Sequence, residues 1–171
     1  MLLKPSTFIL LCLLVYSYSS NAQQAKKPQL EVTGSIDFAL NEGYPLWGVG
    51  SHVKLLFPVG KKSNALVATL GIDRLYEDLD YDAYSYTFAL TSIGYRKNIK
   101  SAFIEPKAGF GINIEGGHDD FCGFIGIEPG IQKRKFTFSI DYRFISSDGL
   151  AYGDHFHTFA IRIGYKILGN K

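Results

Sequence analysis

Apolar and polar residues alternate with period two along most of the chain after its first 22 residues, most clearly over Ala102–Glu115 (AFIEPKAGFGINIE). Ala102, Ile104, Pro106, Ala108, Phe110, Ile112 and Ile114 form one set; Glu105, Lys107, Gly109, Gly111, Asn113 and Glu115, led by Phe103, form the other. Successive side chains of a strand point to opposite faces, so the pattern predicts a β-strand with one apolar and one polar face. The strand is longer than the roughly 5–6 residues common in globular sheets. It is close to the roughly 9–11 tilted residues that cross a bilayer.

Seven further segments repeat the pattern: Leu30–Leu40, Leu46–Phe57, Ala65–Tyr76, Ala83–Tyr95, Phe121–Ile131, Phe136–Ser146 and Phe156–Ile167. In the fourth strand the apolar set is Tyr84, Tyr86, Phe88 and Leu90, opposite Ser85, Thr87, Ala89 and Thr91. Turn signals separate the strands, and no helical periodicity intervenes. Short consecutive connections favour an antiparallel meander, and closing it removes the exposed edges. The expected fold is all-β: an eight-stranded antiparallel up-and-down barrel.

Alternation alone does not say which face points inward. A soluble barrel buries its apolar set, and an outer-membrane barrel turns that set to lipid. Charge sorting favours the membrane. The connections after strands one, three, five and seven carry Glu42, Glu77, Asp78, Asp80, Asp82, Glu115, Asp119, Asp120, Asp148 and Asp154, with no Lys or Arg. The alternate connections carry Lys61, Lys62, Arg96, Lys97, Lys100, Lys133, Arg134 and Lys135, with no acid. One rim is thus acidic and the other basic. Charges inside strands (Glu31, Asp37, Lys54, Asp73, Glu105, Lys107, Glu128, Asp141, Arg143 and Arg162) lie on the polar face, and Arg74 is the exception. The polar face is also rich in glycine, as a crowded eight-strand interior requires. Aromatic girdles are expected at both ends: Tyr44, Trp47, Tyr76, Tyr81, Tyr84 and Tyr152 near the acidic rim; Phe57, Tyr95, Phe103, Phe136 and Tyr165 near the basic one. The transmembrane reading follows.

Composition fits. Aromatics make up 15% of the chain, with 18 glycines and 6 prolines. A net charge of only +2 argues against a nucleic-acid partner. Residues 1–22 have the features of a secretory signal: Lys4, the apolar run Phe8–Tyr16, and small residues before a cleavage site after Ala22. Residues 23–171 would then be the barrel domain, with Cys122 as its single cysteine and no internal disulfide. Export places the N-terminus in the periplasm, the basic turns beside it, and the longer acidic loops outside. The expected location is the outer membrane. The expected partners are its lipid and lipopolysaccharide, with divalent cations between the acidic loops and lipopolysaccharide phosphates. A monomer without cofactor is expected.

Three groups could carry chemistry. Glu105, Lys107, Glu128, Asp141, Arg143 and Arg162 could line a narrow porin-like channel or, as expected here, a salt-bridged plug that leaves no wide pore. In the plug, Glu105 would pair with Arg143 or Arg162, and Lys107 with Glu128 or Asp141. His118, Asp119, Asp120, Asp154, His155 and His157 could meet at the outer rim, but no ligand spacing there is diagnostic of a metal. Ser146 and His157 could be cross-strand neighbours and make a nucleophile pair, although no orienting acid or oxyanion hole is identifiable. No catalytic site and no metal site are expected.

Several stretches resemble the small OmpA/OmpX-type barrels, and more closely the outer membrane protein beta-barrel domain family common in Bacteroidota. They are Ser20-Asn21-Ala22-Gln23-Gln24, the run Phe103–Gly111 (FIEPKAGFG), its echo Ile127-Glu128-Pro129-Gly130, and the closing Ile161-Arg162-Ile163-Gly164-Tyr165. The resemblance implies a Gram-negative outer-membrane location and an assembly signal in the last strand. The chain departs from it in ending Leu168-Gly169-Asn170-Lys171 rather than on an aromatic residue. Tyr142–Leu150 faintly resembles the His-x-Ser motif of lipid A deacylases of the PagL kind. Phe144 stands where the His belongs, and only Ser146 matches.

Overall fold

In a computed structural model the described residues are 27–41, 44–60, 64–77, 84–114, 120–147 and 155–168. Residues 1–22, expected to be a signal, and almost all the residues expected to form the acidic rim lie outside them. Eight strands follow one another: β1 (Gln29–Asn41), β2 (Tyr44–Val59), β3 (Asn64–Glu77), β4 (Tyr84–Ile99), β5 (Ala102–Asn113), β6 (Asp120–Lys133), β7 (Phe136–Ser147) and β8 (His155–Leu168). Each pairs antiparallel with the next, and β8 returns to β1, so the sheet is a closed barrel. The strands run 12 to 16 residues; most are longer than the pattern predicted because pairing continues beyond the apolar alternation, whereas β5 stops at Asn113, short of the expected Glu115.

The apolar face points outward. Leu70, Ile93, Phe110, Ile125 and Ile161 are all more than half exposed, while the charged set is almost fully buried. An apolar wall around a polar interior is the transmembrane arrangement. At the basic end the short turns pass through left-handed φ at Gly60, Lys100 and Arg134. Trp47 and Tyr76 pack at 5.0 Å near the opposite rim, and Phe136 and Tyr165 at 5.2 Å near the basic one. Of the other outer girdle residues, Tyr81 and Tyr152, and the side chains of Tyr44 and Tyr84, lie outside what is described.

The structure corrects three placements. In β4, Phe88 and Leu90 are buried in the lumen, and Ala89 and Thr91 face outward, the reverse of the expected faces. The hydrophobic alternation changes phase halfway along this strand. Below, Ile93 and Tyr95 face out while Ser92, Gly94 and Arg96 face in. The backbone keeps one parity; the lumen itself changes from polar to apolar. Second, Arg96 belongs to β4, not to the basic turn, and is fully buried. Third, Phe103 is not a girdle residue. Its ring lies inside, under the Arg96 guanidinium at 4.2 Å, in space that a side chain at Gly130 would occupy.

Candidate functional site: the closed lumen

The interior is built in layers. Toward the outer end Ala39, Leu46, Leu75, Phe88, Leu90, Cys122, Phe124 and Ile145 form one apolar cluster. Near the basic end Leu56, Ala65 and Val67 form another on the β2–β3 side. The charged side chains fill the bore beneath the first cluster and beside the second, whose Ala65 is paired with Arg96, and each strand contributes at least one because alternate positions face the bore.

Glu128 is the hub. Lys54 Nζ donates to both its oxygens, at 2.6 and 2.7 Å. Lys107 Nζ reaches it at 2.8 Å, Arg162 Nη1 at 3.2 Å and Ser139 Oγ at 2.8 Å. Its direct cross-strand neighbour is Glu105. Two carboxylates facing each other repel, and Lys54, from the far wall, bridges them by also contacting Glu105 at 3.4 Å. Arg96 Nε donates to the other Glu105 oxygen at 2.7 Å, and its terminal nitrogens reach Glu31 across the bore at 3.1 and 3.3 Å. Lys107 continues to Asp141 at 2.6 Å, where Arg162 also contacts at 2.8 Å. Arg143 joins Asp141, Asp73 and Asp37 at 3.2, 2.6 and 3.3 Å. His52 Nε2 lies 2.9 Å from Asp73 and 3.2 Å from Arg162.

The outcome is one continuous ionic web through the barrel. Most of its pairs join strands that are not neighbours in the sheet, and those of Lys54 with Glu105 and Glu128, Arg96 with Glu31 and Arg143 with Asp73 tie opposite walls together. Lys107 meets both Glu128 and Asp141. Glu105, by contrast, pairs with Lys54 and Arg96 rather than with Arg143 or Arg162. The register explains this: β4–β5 pairing aligns Gly94 with Lys107 and Lys97 with Ile104, which sets Arg96 opposite Glu105. Arg74, the charge on the wrong face, stays outside, and Arg96 supplies the base in its place.

Little space remains. The cavity lined by His52, Thr69, Ser92, Lys107, Arg143 and Arg162 has a volume of about 10 Å³, at the threshold for a single water. The inward glycines explain the density. A Cβ at Gly50 would collide with the Asp73 carboxylate, and one at Gly71 with the His52 ring. These glycines give their volume to longer charged neighbours.

The outer-face candidates are not assembled as a nucleophile site. Ser146 is opposite His155, whereas His157 is opposite Phe144. The His157 ring stacks on Tyr142, and its Nδ1 lies 2.8 Å from the Tyr142 hydroxyl. Among the described residues no group of three or more potential metal ligands comes together. His118, Asp119, Asp154 and the Asp120 side chain lie outside the described residues.

No protein-family profile matches the chain, and neither does any curated protein sequence. Among solved structures the chain is similar to Neisserial surface protein A, with a TM-score of 0.52 and 14% identity over 84% of this chain and 98% of that one. It is also similar to Ail, the attachment invasion locus protein of Yersinia pestis, solved with the heparin analogue sucrose octasulfate, with a TM-score of 0.50 and 11% identity over 84% of this chain and all of that one. At these identities the likeness is one of fold, that of the small outer-membrane barrel.

Proposed function

We propose that this chain is an outer-membrane barrel with a sealed lumen, serving as a structural or surface-interaction protein rather than a pore or an enzyme. The observation that carries the reading is the filled interior: an ionic web that crosses the bore beneath an apolar cluster, with a cavity among His52, Lys107, Arg143 and Arg162 that has room for about one water. A solute path would need several of these pairs to part together, and a separated buried charge costs several kcal/mol. Liposome swelling in isotonic arabinose tests the seal; swelling above protein-free vesicles contradicts it.

The resemblance to the Bacteroidota barrel family and the signal-like leader support export and insertion in the outer membrane, with the acidic connections outside. Their charge suits divalent cations that bridge to lipopolysaccharide phosphates. It is opposed to a polyanion such as the sulfated ligand held by Ail. A surface partner, if the loops bind one, is therefore cationic or cation-bridged. Replacing 115–120 with a neutral sequence and measuring cell attachment separates a recognition role from a purely structural one. Unchanged attachment removes the recognition role.

A further inference from the structure

The basic end is left with cations that the lumen does not neutralise. Every Asp and Glu whose side chain is described lies buried in the bore. Outside it, Lys97, Lys100, Lys133, Arg134 and Lys135 are exposed, and no carboxylate among the described residues is left to pair with them. They fall on one arc of the rim: the end of β4, the β4–β5 turn, the end of β6 and the β6–β7 turn. Gln132 N donates to Ser101 O at 2.7 Å, which draws the two turns together. Lys166 N donates to Lys135 O at 2.8 Å and carries the arc on to β8. Lys100 and Arg134 hold a left-handed φ, as Gly60 does after β2, so two of the cations stand where a side chain is disfavoured.

Part of the arc belongs to the wall rather than to the tips of the turns. Lys97 alternates with the exposed Tyr95 and Ile99 on the outer face of β4. Lys133 follows the exposed Ile131 on the outer face of β6. Between them the row Ile99, Ala102, Ile131 crosses β5 at a small side chain. Lys135 Nζ lies 5.7 Å from the ring centroid of Tyr165, which is exposed on the outer face of β8. Lys97 therefore sits at the edge of the hydrocarbon, where a flexible stem carries the ammonium to the interface. A soluble anion beyond the rim meets the turns but not Lys97. A headgroup phosphate in the bilayer meets both.

We propose that this arc is a binding site for an anionic phospholipid of the periplasmic leaflet. Its phosphate lies among Lys97, Lys100 and Lys133, and its chains run along the apolar wall of β4 and β5. The proposal rests on the reading of the chain as an outer-membrane barrel with its basic end in the periplasm. The uncompensated charge and the outward face of Lys97 together decide the occupant. A zwitterionic lipid brings no net charge to the arc, and a second copy of the barrel would set like charges against each other.

The test uses the full mature chain in phosphatidylcholine vesicles that contain phosphatidylglycerol. Flotation and heat-modifiable gel migration report insertion and folding. Native mass spectrometry after detergent extraction reports retained lipid. Wild type should retain phosphatidylglycerol enriched about tenfold over its share of the vesicle. Lys97→Gln and Lys133→Gln should each lower that enrichment about fivefold, with flotation unchanged. Lys27→Gln removes the same charge ahead of β1, across the barrel from β5, and should leave the enrichment as it is. Equal losses from Lys27→Gln and Lys97→Gln would mean a diffuse attraction and overturn the site. Glycerol phosphate, the headgroup without chains, should not displace the lipid; displacement would make the occupant a soluble anion and overturn the assignment, as would a dimer that excludes lipid. Wild type that floats but retains the two lipids in proportion overturns this proposal alone; wild type that does not float overturns the outer-membrane reading with it.

Discussion

The two halves of the lumen are filled by opposite chemistry. The outer half is closed by Phe88, Leu90, Phe124 and Ile145, which pack as an ordinary apolar core. The middle is closed by carboxylates and cations that reach across the bore, with Glu128 holding three cations and Arg143 three carboxylates. An apolar layer tolerates small changes of shape because its contacts are individually weak and non-directional. An ionic layer does not, because removing one member leaves its partners charged, buried and unpaired. The same barrel should therefore be plastic at one level and brittle at the next.

The sharpest way to break this contrast is Arg143→Met, a substitution of similar length that strands Asp37, leaves Asp73 with His52 alone and takes one of three cations from Asp141. It should lower unfolding free energy by about 3–5 kcal/mol. Urea titration of the folded barrel in lipid, followed by the fluorescence of Trp47, the chain's one tryptophan, measures it. A loss near 1 kcal/mol would mean that the web adds little rigidity. In the apolar half, Phe88→Leu should cost under about 1.5 kcal/mol by the same titration. A cost equal to that of Arg143→Met would erase the distinction. The smallest effect belongs to the outer face. Ser146→Ala should leave lipid A acylation unchanged in cells that express the barrel, since His157 is engaged with Tyr142. A change in acylation would instead call for a hydrolase mechanism at that hairpin.

The brittle half was the more legible in sequence. Charged residues in an otherwise apolar alternation mark their own parity, so Glu105, Lys107, Glu128, Asp141, Arg143 and Arg162 could be set on one face from the chain alone. Partners were harder, because pairing across a bore depends on register and stagger, which local alternation does not carry. Glu105 illustrates this: its bases come from β2 and β4. Arg96 was hidden for a different reason. The alternation ends at Tyr95, so the residue after it read as a turn, whereas the strand continues to Ile99. The plastic half was illegible because hydrophobicity distinguishes faces only when one of them is polar. In upper β4 both faces are free of charge, and the bulkier set went inward to fill the lumen, leaving Ala89 and Thr91 to the lipid. The signal that could have found it was the phase change between Leu90 and Ile93.

Whether these layers seal the barrel is most directly measured by single-channel recording of the purified mature chain in a planar bilayer. With flotation confirming insertion, a lumen filled as described gives a bilayer without discrete steps in concentrated KCl, where the abundance of charge carriers lets even a narrow pore conduct visibly. Recurrent steps of one stable size from wild-type protein would mean that the ionic web opens and that the lumen is a channel.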